Sequence, residues 1–503
     1  MSIKVLFVYP NYRGMNMLPP AIGLMSAILK NNGYTVKLFD TTYYENINGS
    51  DIDSDASKSE RLMARPFCMP KEKVTLKTTD VFEDFEKEVN SFQPKLLALS
   101  ATEDMFPLGI KLLKRVQKYN ILTIVGGVFA TFAPELVLNY PEVDMVCRGE
   151  GEETIRLLCE RLSKGKHYND LPNLYIKNKD GSIRRNPLQM IDMDNNPLID
   201  MSLFEEARYY RPMGGKVWRM FPVETHRGCP FKCSYCNSPV QRSMYKDETG
   251  NSFLRRKSFQ NIRKELLYYK NVMKAEYLYF WADTFFSWTS KEFDEFCEIY
   301  EDIRLPFWCQ TRPETVEIEK FKKLKDIGCA RIAFGLEHGN EEFRRKKLNR
   351  RVNNKLIIEN LRIVNDVGIP FSVNNIIGFP SETYELAMDT IKLNRHIEST
   401  DRNAYAFTPF HGTPLRQECE SLGYIEYEDI VKSVVANGSI LDMPQFPKKQ
   451  VDALIKVFNM YCSFPESKWT EIKMAEEDTP EGHKRYEELK RDYIEQFWRE
   501  KTE

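Results

Sequence analysis

Short apolar runs alternate with amphipathic stretches through the first third of the chain. The runs predict strands at Lys4–Pro10, Thr35–Asp40, Lys95–Ser100, Ile121–Gly126 and Asp144–Cys147. Apolar residues recurring every three to four positions between them predict helices over 20–32, 82–92, 107–119, 134–138 and 153–163. Pro19 and Pro20 suit the entry of the first helix and Gly33 its exit. This alternation predicts an α/β unit over 1–165, a doubly wound, flavodoxin/Rossmann-like parallel sheet that binds ligands at the carboxyl ends of its strands. The polar tract Thr41–Asp80 is too long for a passive connection and reads as a lid or packing loop over that edge.

Residues 166–218 read as a connecting region, with Asn178–Ser182 as a hairpin turn. From Phe221 the alternation resumes. Strands are predicted at Phe221–His226, Tyr277–Ala282, Pro306–Thr311, Ala330–Leu336, Phe371–Ile377 and Asn403–Thr408, with helices such as 259–270, 291–303, 316–327, 354–367 and 382–397 between them. Six such units over 219–415 predict a partial (β/α)6 barrel with a lateral opening. Residues 416–503 are charged and helical, and predict a supporting cap.

Composition narrows the setting. Across 503 residues, 72 Lys and Arg face 73 Asp and Glu, so no bulk charge draws the chain to nucleic acid or an anionic membrane. The basic trio Arg255-Arg256-Lys257 reads as a solvated loop. Eleven cysteines are too sparse for a disulfide scaffold and suit a reducing interior. With no secretory segment and no long apolar run, the expected location is the cytoplasm, away from membrane.

Three of the cysteines are crowded. Cys229, Cys233 and Cys236 stand in Glu-Thr-His-Arg-Gly-Cys-Pro-Phe-Lys-Cys-Ser-Tyr-Cys-Asn, after the first strand of the barrel. Thiolates at this Cys-x3-Cys-x2-Cys spacing match three corners of an iron–sulfur cube, leaving one iron open to a chelating ligand. A zinc knuckle completed by His226 is the alternative. The spacing, with Tyr235 before the third cysteine, resembles the signature loop of radical S-adenosylmethionine (SAM) enzymes, and implies Cys229, Cys233 and Cys236 as ligands of a 4Fe–4S cluster that binds SAM.

With both halves read together, residues 1–415 resemble the cobalamin-binding-domain radical SAM family, of the class B methylase type. In the first unit the resemblance rests on Leu18–Leu24, Leu97–Thr102, Val125–Glu135 and Cys147–Glu153, each at or just after a strand end. It implies a cobalamin site to which Gly126 and Gly127 give backbone access, Ser100 and Thr102 offer hydroxyls, and Gly149 shapes the next loop. The Asp-x-His-x-x-Gly element that supplies an axial histidine elsewhere is missing: the loop after the first strand reads Asn11-Tyr-Arg-Gly-Met-Asn-Met17, and no histidine precedes His167. Cobalamin is therefore expected without a histidine ligand. In the barrel the resemblance implies SAM contacts from Tyr235, Asp283, Arg312 and Glu337, with Arg312 offering a fork for the methionyl carboxylate. His226 is expected to brace the cysteine loop.

The resemblance implies reductive cleavage of SAM and methylation, with cobalamin as carrier, of an unactivated carbon or phosphorus in a small molecule or natural-product intermediate. An external one-electron reductant such as flavodoxin or ferredoxin is implied as partner. A cyclase, ring-contraction or carbon–carbon coupling enzyme is the second expectation, and a non-enzymatic cobalamin/zinc-binding sensor the third.

Overall fold

The computed structural model describes residues 3–45, 47, 54–67, 69–70, 72–432 and 438–498. The first sheet contains β1 (Lys4–Tyr9), β2 (Thr35–Asp40), β3 (Leu96–Ser100), β4 (Leu122–Gly126), β5 (Met145–Cys147), β6 (Leu174–Lys177) and β7 (Ile183–Arg185). Its strand order is β2-β1-β3-β4-β5-β6-β7. The first five strands are parallel, in the flavodoxin-like order. Their cores are continuous apolar runs because helices cover both faces: Val5, Leu6, Phe7 and Val8 are all buried. β6 and β7 extend the sheet antiparallel through the Asn178–Ser182 hairpin, where Asn178 N–H donates to Ser182 O at 2.8 Å.

The second sheet begins with β8 (Tyr210–Met213) and β9 (Lys216–Val223). Strands are therefore lent from the 166–218 stretch to both sheets. Two-residue strands β10 (His226–Arg227) and β11 (Arg255–Arg256) pair beside it. β12 (Tyr277–Phe280), β13 (Phe307–Thr311), β14 (Cys329–Glu337), β15 (Phe371–Ile377) and β16 (Asp401–Ala406) complete the order β16-β15-β14-β13-β12-β9-β8. All are parallel except β8, and β16 and β8 lie at opposite ends, leaving the barrel open.

Side chains alternate across this curved sheet. On the helix-covered face, Phe280 lies 5.5 Å from Phe296 and 5.2 Å from Phe307, centroid to centroid. Each fully buried ring of this kind contributes about 1.5–3 kcal/mol. On the other face Trp308, Gln310 and Asn374 remain partly accessible, and Asn403 Nδ2 donates to Asn374 Oδ1 at 2.9 Å.

The Thr41–Asp80 tract, expected as a lid or packing loop, has structure of its own. It contains a helix, Ser54–Glu60, and reaches the C-terminal helices as well as its own sheet. Asn459 Nδ2 donates to Leu62 O and to Arg402 O of β16, each at 3.1 Å, and Tyr486 Oη donates to Glu60 O. The helix shows no apolar stripe in sequence, since Ser54 is its one buried residue, so periodicity does not reveal it. Among the described residues no helix is long and apolar enough to cross a membrane.

Candidate active site

β9 delivers the chain into the cysteine loop, and the turn is built tightly. Gly228 has φ +89°, which favours glycine, and a Cβ there would lie 3.1 Å from Leu254 backbone atoms, which leaves little room for one. His226 is buried, with Nδ1 2.9 Å from Thr225 Oγ1 and Nε2 2.8 Å from Thr284 O. The carbonyl can only accept, so Nε2 carries the proton and Nδ1 accepts from the threonine. Burial lowers the His226 pKa, which favours this neutral form. With both nitrogens engaged, His226 has no lone pair to complete a zinc knuckle.

Cys229, Cys233 and Cys236 are free and half-buried. Burial pushes the Cys229 thiol up to about 11 and the Cys236 thiol to about 12, so without a metal these groups stay protonated. Among the described residues no three His, Cys, Asp or Glu side chains gather as around a single ion. A cube instead distributes its thiolates over different irons. Cys236 caps the helix Asn237–Thr249, its sulfur accepting from Ser238 N–H at 3.5 Å, and Arg242 Nη1 donates to Cys229 O at 2.5 Å.

Four of the expected SAM residues converge on this loop. Tyr235 belongs to it. Asp283 Oδ2 accepts from Ser238 Oγ at 2.7 Å, at the start of the helix that follows it. The Arg312 guanidinium lies 3.7 Å from the centre of the Phe231 ring, and its Nη1 is 3.5 Å from Cys233 Sγ. Arg312 also pairs with Glu314. Glu337, at φ +69° on the end of β14, has Oε1 3.1 Å from Arg350 Nη1, which lies 3.4 Å from Tyr235 Oη. Burial raises the Glu337 pKa, against the pull of Arg350.

Sequence reasoning missed Glu314 and Arg350. Both lie outside the strands, and their one signal was the density of charge around them. Buried Arg312 Nε, Glu314 Oε2 and Arg350 Nε have no hydrogen-bond partner. A zwitterionic ligand fits this donor and acceptor set, because its ammonium and carboxylate offer the complementary groups.

The first-domain candidates divide. Ser100 and Gly126 are register partners at the ends of β3 and β4. A Cβ at Gly126 would meet nothing nearer than Cys147 Cβ at 3.9 Å, so this strand end is open. Gly127 has φ +109° and a Cβ there would stand 2.4 Å from Ala101 O, which makes its glycine a backbone requirement. The exposed Thr102 hydroxyl is committed locally, donating to Asp104 Oδ1 at 2.6 Å. Gly149 faces the other domain: its Cβ would lie 2.4 Å from Tyr245 Oη, which accepts from Glu150 N–H at 2.9 Å.

Two contacts join the sheets around the loop. Arg227 is gripped by Glu150 at 2.5 Å, Glu152 at 2.6 Å and Glu224 at 2.9 Å. Asn237 Nδ2 donates to His411 O at 2.7 Å, and His411 in turn bonds Glu103 from the loop after β3. The basic trio is not a solvated loop. Arg255 pairs with buried Glu150, Arg256 with Glu292 at 2.8 Å and Lys257 with Glu265 at 2.8 Å, because β11 packs at this charged seam.

Comparison with known proteins follows the same division. A model of the radical SAM superfamily matches residues 223–393, and one of the B12 binding domain matches residues 72–158. An uncharacterised methyltransferase of Pyrococcus horikoshii is 28% identical over 66% of this chain and 71% of its own. The anaerobic magnesium-protoporphyrin IX monomethyl ester cyclase of Rubrivivax gelatinosus is 25% identical, over 83% of this chain and 70% of its own. Among solved structures, the radical SAM methyltransferase TsrM of Kitasatospora setae aligns over 98% of this chain and 99% of its own, at TM-score 0.64 and 13% identity. The cobalamin-dependent SAM radical enzyme OxsB covers 98% of this chain and 71% of its own, at TM-score 0.65 and 16% identity. With the B12-binding match on the first sheet and the radical SAM match on the second, the chain belongs to the radical SAM enzymes that carry a cobalamin-binding domain.

Proposed function

We propose that this enzyme is a cobalamin-dependent radical SAM methyltransferase acting on an unactivated carbon or phosphorus of a small molecule or natural-product intermediate. In such an enzyme the 4Fe–4S cluster and SAM supply a carbon radical, and cobalamin a transferable methyl group. In this reading Cys229, Cys233 and Cys236 hold the cluster. Arg312, Glu337 and Tyr235 receive the amino-acid end of SAM, with Arg350 and Glu314 fixing their orientation, while Asp283 steadies the loop through Ser238. Ser100, Gly126 and Gly127 line the cobalamin edge, and Gly149 contributes by letting Tyr245 dock. The functional units are residues 1–165, 166–218, 219–415 and 416–503, the last supporting the barrel.

The observation that supports this most is the fastening of the cysteine loop to the first domain, directly through Arg227 and by way of His411 and Glu103 through Asn237. Two cofactor edges held rigidly together suit a reaction that passes a group between them. The Pyrococcus horikoshii relative and the cytidylyl-2-hydroxyethylphosphonate methyltransferase of Streptomyces wedmorensis carry methyltransferase names. The Rubrivivax gelatinosus cyclase matches along 83% of this chain and favours a second reading, radical chemistry without net methyl transfer.

Methyl-labelled SAM separates the two in anaerobically reconstituted protein with candidate substrates. A methyltransferase places the label in product and forms S-adenosylhomocysteine alongside 5′-deoxyadenosine. Turnover yielding 5′-deoxyadenosine with unlabelled product moves the assignment to the cyclase class.

A further inference from the structure

A basic segment, Arg344-Arg-Lys-Lys-Leu-Asn-Arg-Arg351, is fastened to the cysteine loop. Ser234 N–H donates to Leu348 O at 3.4 Å, Ser234 Oγ to Lys347 O, and Asn349 Nδ2 to Lys232 O at 2.8 Å. Its bases serve two purposes. Arg344 and Arg350 are buried: the first donates to Val352 O and His338 O, the second to Gly335 O. Lys347 pairs with Glu418 at 2.6 Å and Lys346 with Glu342 at 2.5 Å. Arg345, Arg351 and Lys232, the last lying between Cys229 and Cys233, are exposed and join no ion pair among the described residues. The chain carries a net charge of −1, so these free positive charges form a local feature over the loop and not part of a basic surface.

We propose that this face is the docking surface for an acidic one-electron carrier protein. The proposal rests on the reading that the three cysteines hold an iron–sulfur cluster. In the transfer the carrier loses one electron and the cluster gains it, with no bond made or broken. Electron transfer weakens steeply with distance, so a carrier must reach the surface nearest the loop, where Lys232 is exposed. Three unpaired cations there complement an acidic partner, and complementarity of this kind raises association rates by about 10- to 1000-fold at low salt. A nucleic-acid footprint is a weaker match, since three free cations on a chain of net charge −1 fall short of the extended basic surface that such binding uses.

The test compares two reductants on anaerobically reconstituted protein in stopped flow. Reduced flavodoxin is the protein carrier and dithionite the small one, with loss of cluster absorbance as the readout and flavodoxin affinity measured separately by calorimetry. Lys232→Glu/Arg345→Glu/Arg351→Glu should slow flavodoxin-driven reduction at least ~10-fold at low ionic strength and flatten its salt dependence, with dithionite reduction unchanged. The milder Lys232→Ser/Arg345→Gln/Arg351→Gln should show the same trend with smaller amplitude. Wild-type flavodoxin rates in both variants would overturn the proposal, as would equal loss with both reductants. Loss of RNA binding with carrier reduction intact would overturn it in favour of nucleic acid. A wild-type protein with no dithionite-bleachable chromophore would sink the cluster reading itself, and this proposal with it.

Discussion

Glu103 Oε1 lies 2.7 Å from His411 Nδ1, and both side chains are almost wholly buried. The same carboxylate accepts from His411 N–H at 3.0 Å and Val431 N–H at 3.1 Å, with Arg416 Nη1 3.9 Å away. One acid of the loop after β3 thus satisfies three donors from the segment after β16, and the edge-to-face contact of Phe129 with His411 closes the joint. Removing one partner from such a buried set costs about 3–5 kcal/mol. Glu103→Ala should lower the unfolding midpoint in urea and open residues 409–431 to protease, whereas Glu103→Gln should keep part of both. Unchanged stability in the alanine variant would show that the joint is not structural.

The cysteines carry the most direct prediction. Replacing Cys229, Cys233 and Cys236 together with alanine should abolish iron binding and all SAM cleavage, with the fold retained by circular dichroism. The other described cysteines are buried and scattered through both domains. A reducible 4Fe–4S signal by electron paramagnetic resonance in the triple variant would remove the assignment.

Gly126 and Gly127 should behave differently. Gly126→Ala places its methyl in open space and should fold normally, so reduced retention of hydroxocobalamin through gel filtration would report a ligand contact. Gly127→Ala sets a methyl 2.4 Å from Ala101 O at positive φ, and should destabilise the domain by more than about 1 kcal/mol even without cobalamin. Equal stability of the two variants would contradict the geometry.

At Arg312 the expected loss is in SAM affinity. Arg312→Ala removes a charge-assisted contact typically worth about 1.5–3 kcal/mol, or roughly 10- to 100-fold in Kd. Arg312→Lys should recover only part, because a lysine cannot stack on Phe231 and reach Glu314 with the same planar group. Equilibrium binding to cluster-loaded protein measures it. Wild-type affinity in Arg312→Ala would take this residue out of the SAM site.

The sequence made most of the parallel strands readable, because strands covered on both faces are uninterrupted apolar runs, as in Val5–Val8. It made the cysteine loop readable because three thiols at fixed local spacing need no tertiary information. It concealed Arg350 and Glu314, whose meaning comes from Arg350 reaching Glu337 and Tyr235 across the barrel mouth. Gly149 was visible as a turn glycine, but the ring it makes room for, Tyr245, lies 95 residues away along the chain as measured from Glu150. The helix Ser54–Glu60 escaped for a different reason: polar contacts hold it, and they leave no periodic trace.

Those contacts around Glu60 also set a clock on the ribosome. Tyr486 meets Glu60 O across 426 residues, and Asn459 meets Leu62 O across 397. At the usual elongation pace of about 5–20 residues per second, the early segment must wait roughly 20–85 s for its late partners. The first sheet can complete its own pairing during that interval, while the segment that will lie against β16 remains available to chaperones. The finished enzyme is thus sealed by the last part of the chain to be made, and a message truncated before Asn459 would keep the joints at Arg227 and His411 but lose the one that ties Leu62 to β16.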